Sequence, residues 1–299
     1  MASLPKLTSE QVDGLVAAYR NGASSILLAT THNVTVPTVL NYMRRRGVPI
    51  RPRGRPRIHA IREDYFEKIG EEQAYWLGFI QGDGYVNKSS VTVALRRSDE
   101  PHLVQLRAAI GSTQPITRKL NTGFGEGHPQ STLQLCSTKL VESLGRVGIR
   151  QNKTFDSAFP HFLDRELHRH WLRGLFDADG CVSRATGKPM LVFSLGGYEP
   201  VMRDCRDYLV REVAASEVKI ARVKAASDQY RTFQYGGINI PRAIYYHLYE
   251  DATIYLPRKR EVFEQCFRDR EIAYGEIFVP AGIRVPIEVL ASQMNIGLF

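Results

Sequence analysis

The sequence predicts an α+β protein: two αββαββα half-domains related by pseudo-twofold symmetry, preceded by a small all-α helix-turn-helix unit. Three observations lead there. A nine-residue pattern occurs twice, as Trp76-Leu77-Gly78-Phe79-Ile80-Gln81-Gly82-Asp83-Gly84 and as Leu172-Arg173-Gly174-Leu175-Phe176-Asp177-Ala178-Asp179-Gly180. The segments after the two copies run in parallel, which marks an internal duplication. The positive charge is concentrated in one stretch before the first copy. The chain has 299 residues and 43% hydrophobic content, enough to bury a core, so wholesale disorder is excluded.

The charge divides the chain. Lys and Arg number 40 against 31 Asp and Glu, a net charge of +9. Between Gly14 and Arg62 there are nine arginines and no acidic residue. Everything after Arg62 is close to neutral. This favours a polyanionic partner, most simply nucleic acid. The expected organisation is a DNA-binding unit at 1–50, an Arg/Pro-rich arm and linker at 51–62, half-domains at 63–160 and 161–267, and a tail at 268–299. No apolar run approaches the roughly 18 residues of a membrane span. Met1–Lys6 lacks the apolar segment of a secretory signal. Cys136, Cys181, Cys205 and Cys266 form no Cys-x-x-Cys pair, which speaks against a zinc cluster or disulfide scaffold and for core thiols in a reducing compartment. The expected location is intracellular, cytoplasmic and nucleoid-associated in a bacterial or phage setting, with no membrane partner.

The elements follow in order. Thr8-Ser9-Glu10-Gln11 fits a capping box, and Val12, Leu15, Val16 and Tyr19 recur at helical spacing up to Asn21-Gly22. A second short helix is expected from Ser24 to Thr31, a turn at Asn33-Val34-Thr35, and a third helix from Val36 to about Arg46. A tight turn before the last of three short helices describes a helix-turn-helix. Its last helix would enter the major groove with Thr35, Thr38, Asn41, Tyr42 and Arg45 outward. Leu7-Thr8-x-x-Gln11, Tyr19-x-x-Gly22, Leu28-Ala29 and Val34-Thr35-x-x-Thr38-Val39 resemble the DNA-binding domain of serine recombinases. Arg53-Gly54-Arg55-Pro56-Arg57 is similar to an AT-hook or a resolvase arm. An extended strand carrying Arg53, Arg55 and Arg57 suits the negative potential of a narrow A·T minor groove.

Each copy of the repeated motif is followed by a short strand and a second strand (Val91–Arg97; Met190–Leu195). Glu-Pro then opens a helix in each (Glu100-Pro101; Glu199-Pro200). Two further strands follow (Thr113–Leu120 and Ser131–Cys136; Val218–Lys224 and Arg231–Tyr235), then another helix (Thr138–Val147; Pro241–Tyr249).

Inside the motif, Gly78 and Gly82, like Gly174 and Ala178, lie four apart on one helix face, where small residues let two backbones approach. Gly84 and Gly180 are expected to supply left-handed helix caps. Asp83 and Asp179 then fall at adjacent helix C-termini, disfavoured by the negative helix ends and by each other. A hard divalent cation between them, such as Mg²⁺, relieves both effects. Hydrolysis of a phosphate ester is the matching chemistry.

The paired motifs resemble those of LAGLIDADG homing endonucleases in the single-chain, two-motif form, over roughly Ala74 to Phe267. The resemblance implies a monomer that hydrolyses both strands of double-stranded DNA at a long specific site, with Mg²⁺ or Mn²⁺. It implies metal ligation by Asp83 and Asp179. The penultimate acid of the motif is kept as Asp177 but replaced by Gln81. The resemblance also implies a late basic residue in each half. Tyr255-Leu256-Pro257-Arg258-Lys259 and Asn152-Lys153-Thr154-Phe155 match that element, making Lys259 and Lys153 catalytic candidates. A non-cleaving DNA-binding regulator and an RNA maturase are the alternatives on the same fold.

Strand alternation puts Leu133 and Leu135 on one face and Thr132 and Gln134 on the other; Phe233 and Tyr235 similarly oppose Thr232 and Gln234. Gln134 and Gln234 suit adenine contacts, and Arg96, Arg118, Arg222 and Lys224 suit guanine or phosphate. His168-x-His170 has no third ligand nearby and is expected to be structural or to contact phosphate. The chain has no His-Asn terminus, so a free-standing enzyme is expected rather than a self-splicing one.

Overall fold

The computed structural model describes residues 7–51, 58–121, 127–151, 157–223 and 228–282. The chain divides into two units, Met1–Ile58 and His59–Phe299. Among the described residues, the first holds three helices, α1 (Ser9–Arg20), α2 (Ser25–Thr31) and α3 (Val36–Arg45). The capping box of α1 forms: Thr8 Oγ1 accepts from the Gln11 N–H at 3.2 Å, and Gln11 Oε1 accepts from the Thr8 N–H at 2.9 Å. Ser24 and Thr35 cap the next two helices with their hydroxyls. Asn33 takes the turn between them at φ +48°, a conformation asparagine tolerates better than most residues. Val12, Leu15, Leu28, Val39 and Met43 belong to a core separate from that of the second unit. Arg51 closes this unit, its guanidinium 4.0 Å from the centre of the Tyr19 ring and its N–H bonded to the Tyr19 hydroxyl at 2.9 Å. Arg53, Arg55 and Arg57 lie outside the described residues.

Residues 59–62, expected as linker, are tied into the second unit. The Arg62 N–H bonds Ile110 O at 2.9 Å and the Thr113 N–H bonds Ala60 O at 3.1 Å. Backbone groups that would otherwise lose water on packing thereby find partners.

The second unit is mixed α+β, with two four-stranded antiparallel sheets. Its first half runs α4 (Glu71–Asp83), β1 (Gly84–Val86), β2 (Ser90–Arg96), a single 3₁₀ turn (Arg97–Asp99), α5 (Glu100–Ala109), β3 (Ile116–Asn121), β4 (His128–Cys136) and α6 (Thr138–Arg146). Its second half runs α7 (Arg165–Asp179), β5 (Cys181–Arg184), β6 (Leu191–Tyr198), α8 (Glu199–Val213), β7 (Ala221–Arg222), β8 (Tyr230–Gly237) and α9 (Asn239–Tyr249). The strand orders are β1-β2-β4-β3 and β5-β6-β8-β7, the same in both. The duplicated αββαββα order is therefore present. Among the described residues, strand β7 is shorter than the expected span 218–224, its pairs with β8 being Ala221 with Thr232 and Arg222 with Arg231.

The registers match as well. Gln134 faces Thr92 in the first sheet, and Gln234 faces Ser194 in the second. Leu133, Leu135, Phe233 and Tyr235 are buried beneath the helices, while Gln134 and Gln234 are exposed. Each sheet thus keeps one apolar face and one polar outer face.

A further helix, α10 (Pro257–Tyr274), runs past the boundary expected at residue 267. The chain after it folds back. The Arg260 guanidinium bonds Ala281 O at 2.8 Å, the Tyr246 hydroxyl bonds Val279 O at 2.8 Å, and Glu276 pairs with Arg242 and Arg270. The reason is packing: Phe263, Cys266 and Phe267 are buried, and Phe278 packs against the same core. Cys205 and Cys266 are core thiols, but Cys136 and Cys181 are exposed. They occupy the outer faces, across the strands from Ser90 and Ser194.

Candidate active site

Helices α4 and α7 cross in backbone contact. A Cβ placed on Gly78 would collide with Trp171 O and stand 2.9 Å from Leu175 N; one placed on Gly174 would collide with Tyr75 O and stand 2.8 Å from Phe79 N. These contacts exchange when each residue is replaced by its counterpart in the other copy of the repeat, so the crossing is symmetric down to the backbone. Gly82 meets Ala178 further along, and a Cβ on Gly82 would lie 3.1 Å from Asp179 Oδ2.

Gly84 and Gly180 do not serve as left-handed caps. Gly84 sits at φ −80° and ψ 132°, Gly180 at φ −76° and ψ 162°, both extended. They are needed for space. A Cβ on Gly84 would press 2.7 Å from Ile80 Cγ2, and one on Gly180 would stand 2.6 Å from Phe176 O. The chain leaves each helix straight into a strand, so the last side chains, Asp83 and Asp179, stand at the two helix ends. Asp179 is exposed and Asp83 half-buried.

The penultimate positions explain the odd pairing of Gln81 with Asp177. Asp177 is fully buried. Its carboxylate accepts from the Tyr75 hydroxyl at 2.8 Å, the Tyr249 hydroxyl at 3.2 Å and the Leu256 N–H at 2.7 Å. Burial raises its pKa, and the nearby Lys259 charge opposes that. Gln81 accepts from Trp171 Nε1–H at 3.2 Å and donates to Ala158 O at 3.2 Å. Tyr75 and Trp171 occupy the same motif position, each serving the opposite helix. One environment offers only donors and suits a carboxylate. The other offers a donor and a carbonyl and suits an amide.

Lys259 is only 4% exposed. Its ammonium donates to Phe176 O at 2.5 Å, Gly180 O at 2.6 Å and Ala178 O at 3.4 Å, closing the C-terminus of α7. Burial pulls its pKa down to about 8, while the charges of Asp177, Asp83 and Asp179 pull the other way. Lys259 thus stands in the field of both terminal aspartates. Lys153 lies outside the described residues.

Among the described residues, no group of three or more His, Cys, Asp or Glu side chains is placed to hold a metal jointly. Two carboxylates at neighbouring helix ends fit a different kind of ion. A hard cation such as Mg²⁺ binds by one or two carboxylates and keeps water and phosphate oxygens as its other ligands. His168 and His170 are structural: His168 Nε2 approaches Pro160 O at 3.2 Å, and His170 is buried with Nδ1 3.0 Å from the Arg173 guanidinium.

The DNA-contact candidates separate by face. Arg96, Gln134 and Gln234 stand on the outer faces. Arg118 lies opposite Ser131, on the helix side, with its guanidinium clamped to Glu100 at the start of α5. That guanidinium and the Ser131 hydroxyl hold the Glu100 pKa down to about 2. Arg222 lies opposite Arg231, also on the helix side, and pairs with Asp228. Arg231 repeats the clamp in the second half, 2.9 Å from Glu199. Strand alternation alone identifies these faces once the register is known. Lys224 lies outside the described residues. In the first unit Asn41 and Arg45 are exposed, and the Thr38 hydroxyl sits 2.8 Å from that of Thr35.

Sequence reasoning missed Tyr75, Trp171, Tyr249 and Tyr230. The repeat carried a signal for the first two, since both are aromatic residues with a polar tip at one shared position. Tyr230 is held at the start of β8, where burial and the Asp179 charge raise its pKa.

No protein-family model matches the chain, and no curated protein matches it. Solved structures do. One is the N-terminal LAGLIDADG domain of DUF199/WhiA, at 15% identity over 83% of this chain and 96% of that one, with a TM-score of 0.40. Another is the LAGLIDADG homing endonuclease I-GzeII in complex with its DNA target, at 11% identity over 77% and 99%, with a TM-score of 0.44. A third is the homing endonuclease I-WcaI bound to its DNA recognition sequence, at 14% identity over 67% and 91%, with a TM-score of 0.44.

Proposed function

We propose that the chain is a site-specific double-strand DNA endonuclease of the LAGLIDADG homing type, acting as a monomer with a divalent cation, Mg²⁺ or Mn²⁺. The observation that carries this reading is the pair Asp83 and Asp179, at equivalent ends of two helices in backbone contact. One carboxylate would be a turn residue; two related by an internal symmetry match two strands of a duplex. When bound, the cation supplies Lewis acidity toward the phosphate and stabilises the leaving oxygen. Asp83 and Asp179 hold it. Lys259 fixes the end of α7 and adds positive charge beside both carboxylates. Lys153 is the proposed counterpart in the first half. The outer sheet faces, with Arg96, Gln134 and Gln234, read bases. The helix-turn-helix residues Thr38, Asn41 and Arg45, and the arm residues Arg53, Arg55 and Arg57, anchor flanking duplex.

The test is selection of cleaved sites from a random duplex library with Mg²⁺. Wild-type protein should yield one long site. Asp83→Asn and Asp179→Asn should bind that site without completing a double-strand break. Wild-type protein that binds its site and never nicks it with any divalent cation would be a DNA-binding regulator instead.

A further inference from the structure

The two halves share a motif and a sheet order, yet the surroundings of the two aspartates differ. The register makes this explicit. Gln134 and Gln234 are counterparts, so four residues back along each strand Gln130 is the counterpart of Tyr230. Across the ladder, Gln130 pairs with Arg96 where Tyr230 pairs with Tyr198. One step further in, Ala94 faces Thr132 where Gly196 faces Thr232.

Gly196 matters because of what lies on it. A Cβ there would stand 2.5 Å from the Tyr230 hydroxyl oxygen and 3.0 Å from Tyr230 Cζ. The missing side chain lets the Tyr230 ring lie across β6. In that position it shares a small cavity of about 110 Å³ with Gln81, Gly82, Ser157 and Asp179. The hydroxyl makes no hydrogen bond among the described residues. Tyr230 thus sets a half-buried phenol beside Asp179, where the first half has Gln130 at the matching strand position.

We infer that Tyr230 is a phosphate-contacting residue for one strand only: its hydroxyl donates a hydrogen bond to the backbone phosphate of the strand cut at Asp179. A phenol hydroxyl is a neutral donor, so it adds a directed bond to a phosphate oxygen without adding charge. At the matching place in the first half stand Gln130 and its ladder partner Arg96, an amide and a guanidinium rather than a phenol, so the other strand meets a different donor set. The two strands are then cut by unequal sites. The inference rests on the endonuclease reading above.

The experiment uses the full-length protein and its selected duplex, with each strand separately end-labelled, under single-turnover conditions with Mg²⁺. Wild-type protein should cut both strands. Tyr230→Phe should slow one strand about tenfold, the loss expected for one hydrogen bond to a charged group, and leave the other within about twofold. Nicked duplex should accumulate, and affinity for the uncut site should change little. Gly196→Ala, which installs the residue present in the first half and displaces the Tyr230 hydroxyl, should slow the same strand. Unchanged thermal melting of both variants shows that they fold. Equal slowing of both strands, or none in either, while wild-type protein cuts normally, overturns the role of Tyr230 and leaves the endonuclease reading standing. Failure of wild-type protein to cut at all overturns that reading, and this role with it.

Discussion

Gly78 and Gly174 occupy equivalent points on two crossing helices, and each lies against a backbone carbonyl of the other helix, Trp171 O and Tyr75 O respectively. Neither carbonyl can yield without breaking its own helix. Gly78→Ala and Gly174→Ala should each cost at least about 3 kcal/mol in chemical denaturation. Gly14→Ala is the control. It lies within α1 with nothing near its missing side chain. It should stabilise the first unit by about 0.5–1 kcal/mol. A tolerated Gly174→Ala would mean that the crossing is not held as described.

The penultimate residues should not be interchangeable. Asp177→Asn places an amide N–H₂ among three donors and should destabilise the fold by about 2–4 kcal/mol. Gln81→Glu sets a carboxylate oxygen against Ala158 O and should cost about 1–2 kcal/mol. Equilibrium unfolding in urea measures both. A neutral Asp177→Asn would show that the three donors are not committed to that carboxylate.

His102 predicts an acid limit. Its Nε2 lies 2.8 Å from the Tyr75 hydroxyl, and that hydroxyl donates onward to Asp177, so the histidine must donate. Burial pushes its pKa from 6.5 down to about 4. Between those values the unfolded chain binds more protons than the native one. The stability contributed by neutral His102 is therefore full above pH 6.5 and lost as pH falls toward 4, by roughly 3 kcal/mol. Wild-type protein should lose stability over that window more steeply than His102→Gln. Parallel pH profiles would refute this.

The sheet faces give a separable pair of effects. Gln134→Ala or Gln234→Ala should reduce discrimination between the selected site and a variant at the contacted base by about 1–3 kcal/mol, with melting unchanged. Arg118→Ala releases Glu100 and should lower the melting temperature modestly without altering sequence preference. Binding titrations on single-base variants, paired with melting curves, distinguish the two. An altered preference in Arg118→Ala would return that residue to the DNA face.

The element order was legible because its signals are local. Thr8, Ser24 and Thr35 announce helix starts, and Leu133, Leu135, Phe233 and Tyr235 alternate with polar neighbours. The duplication multiplied each signal by two. What stayed hidden depends on partners far along the chain. Gly84 and Gly180 read as left-handed helix caps, but their real constraint is contact with Ile80 and Phe176. Arg118 looked like a DNA contact until the register with Ser131 turned it toward Glu100. The alternation of a strand separates its two faces, and the register with the neighbouring strand says which of them packs on the helices.

Asp177 is reached by Tyr75 from 102 positions earlier and by Leu256 from 79 positions later. Its helix is closed by Lys259 a few residues beyond. During synthesis, then, the first half and both motifs emerge well before the residues that satisfy this carboxylate and seal the end of α7. The ribosome delivers the aspartates early and their support late. The nascent chain holds an unfinished site until residue 259 has been made and has docked.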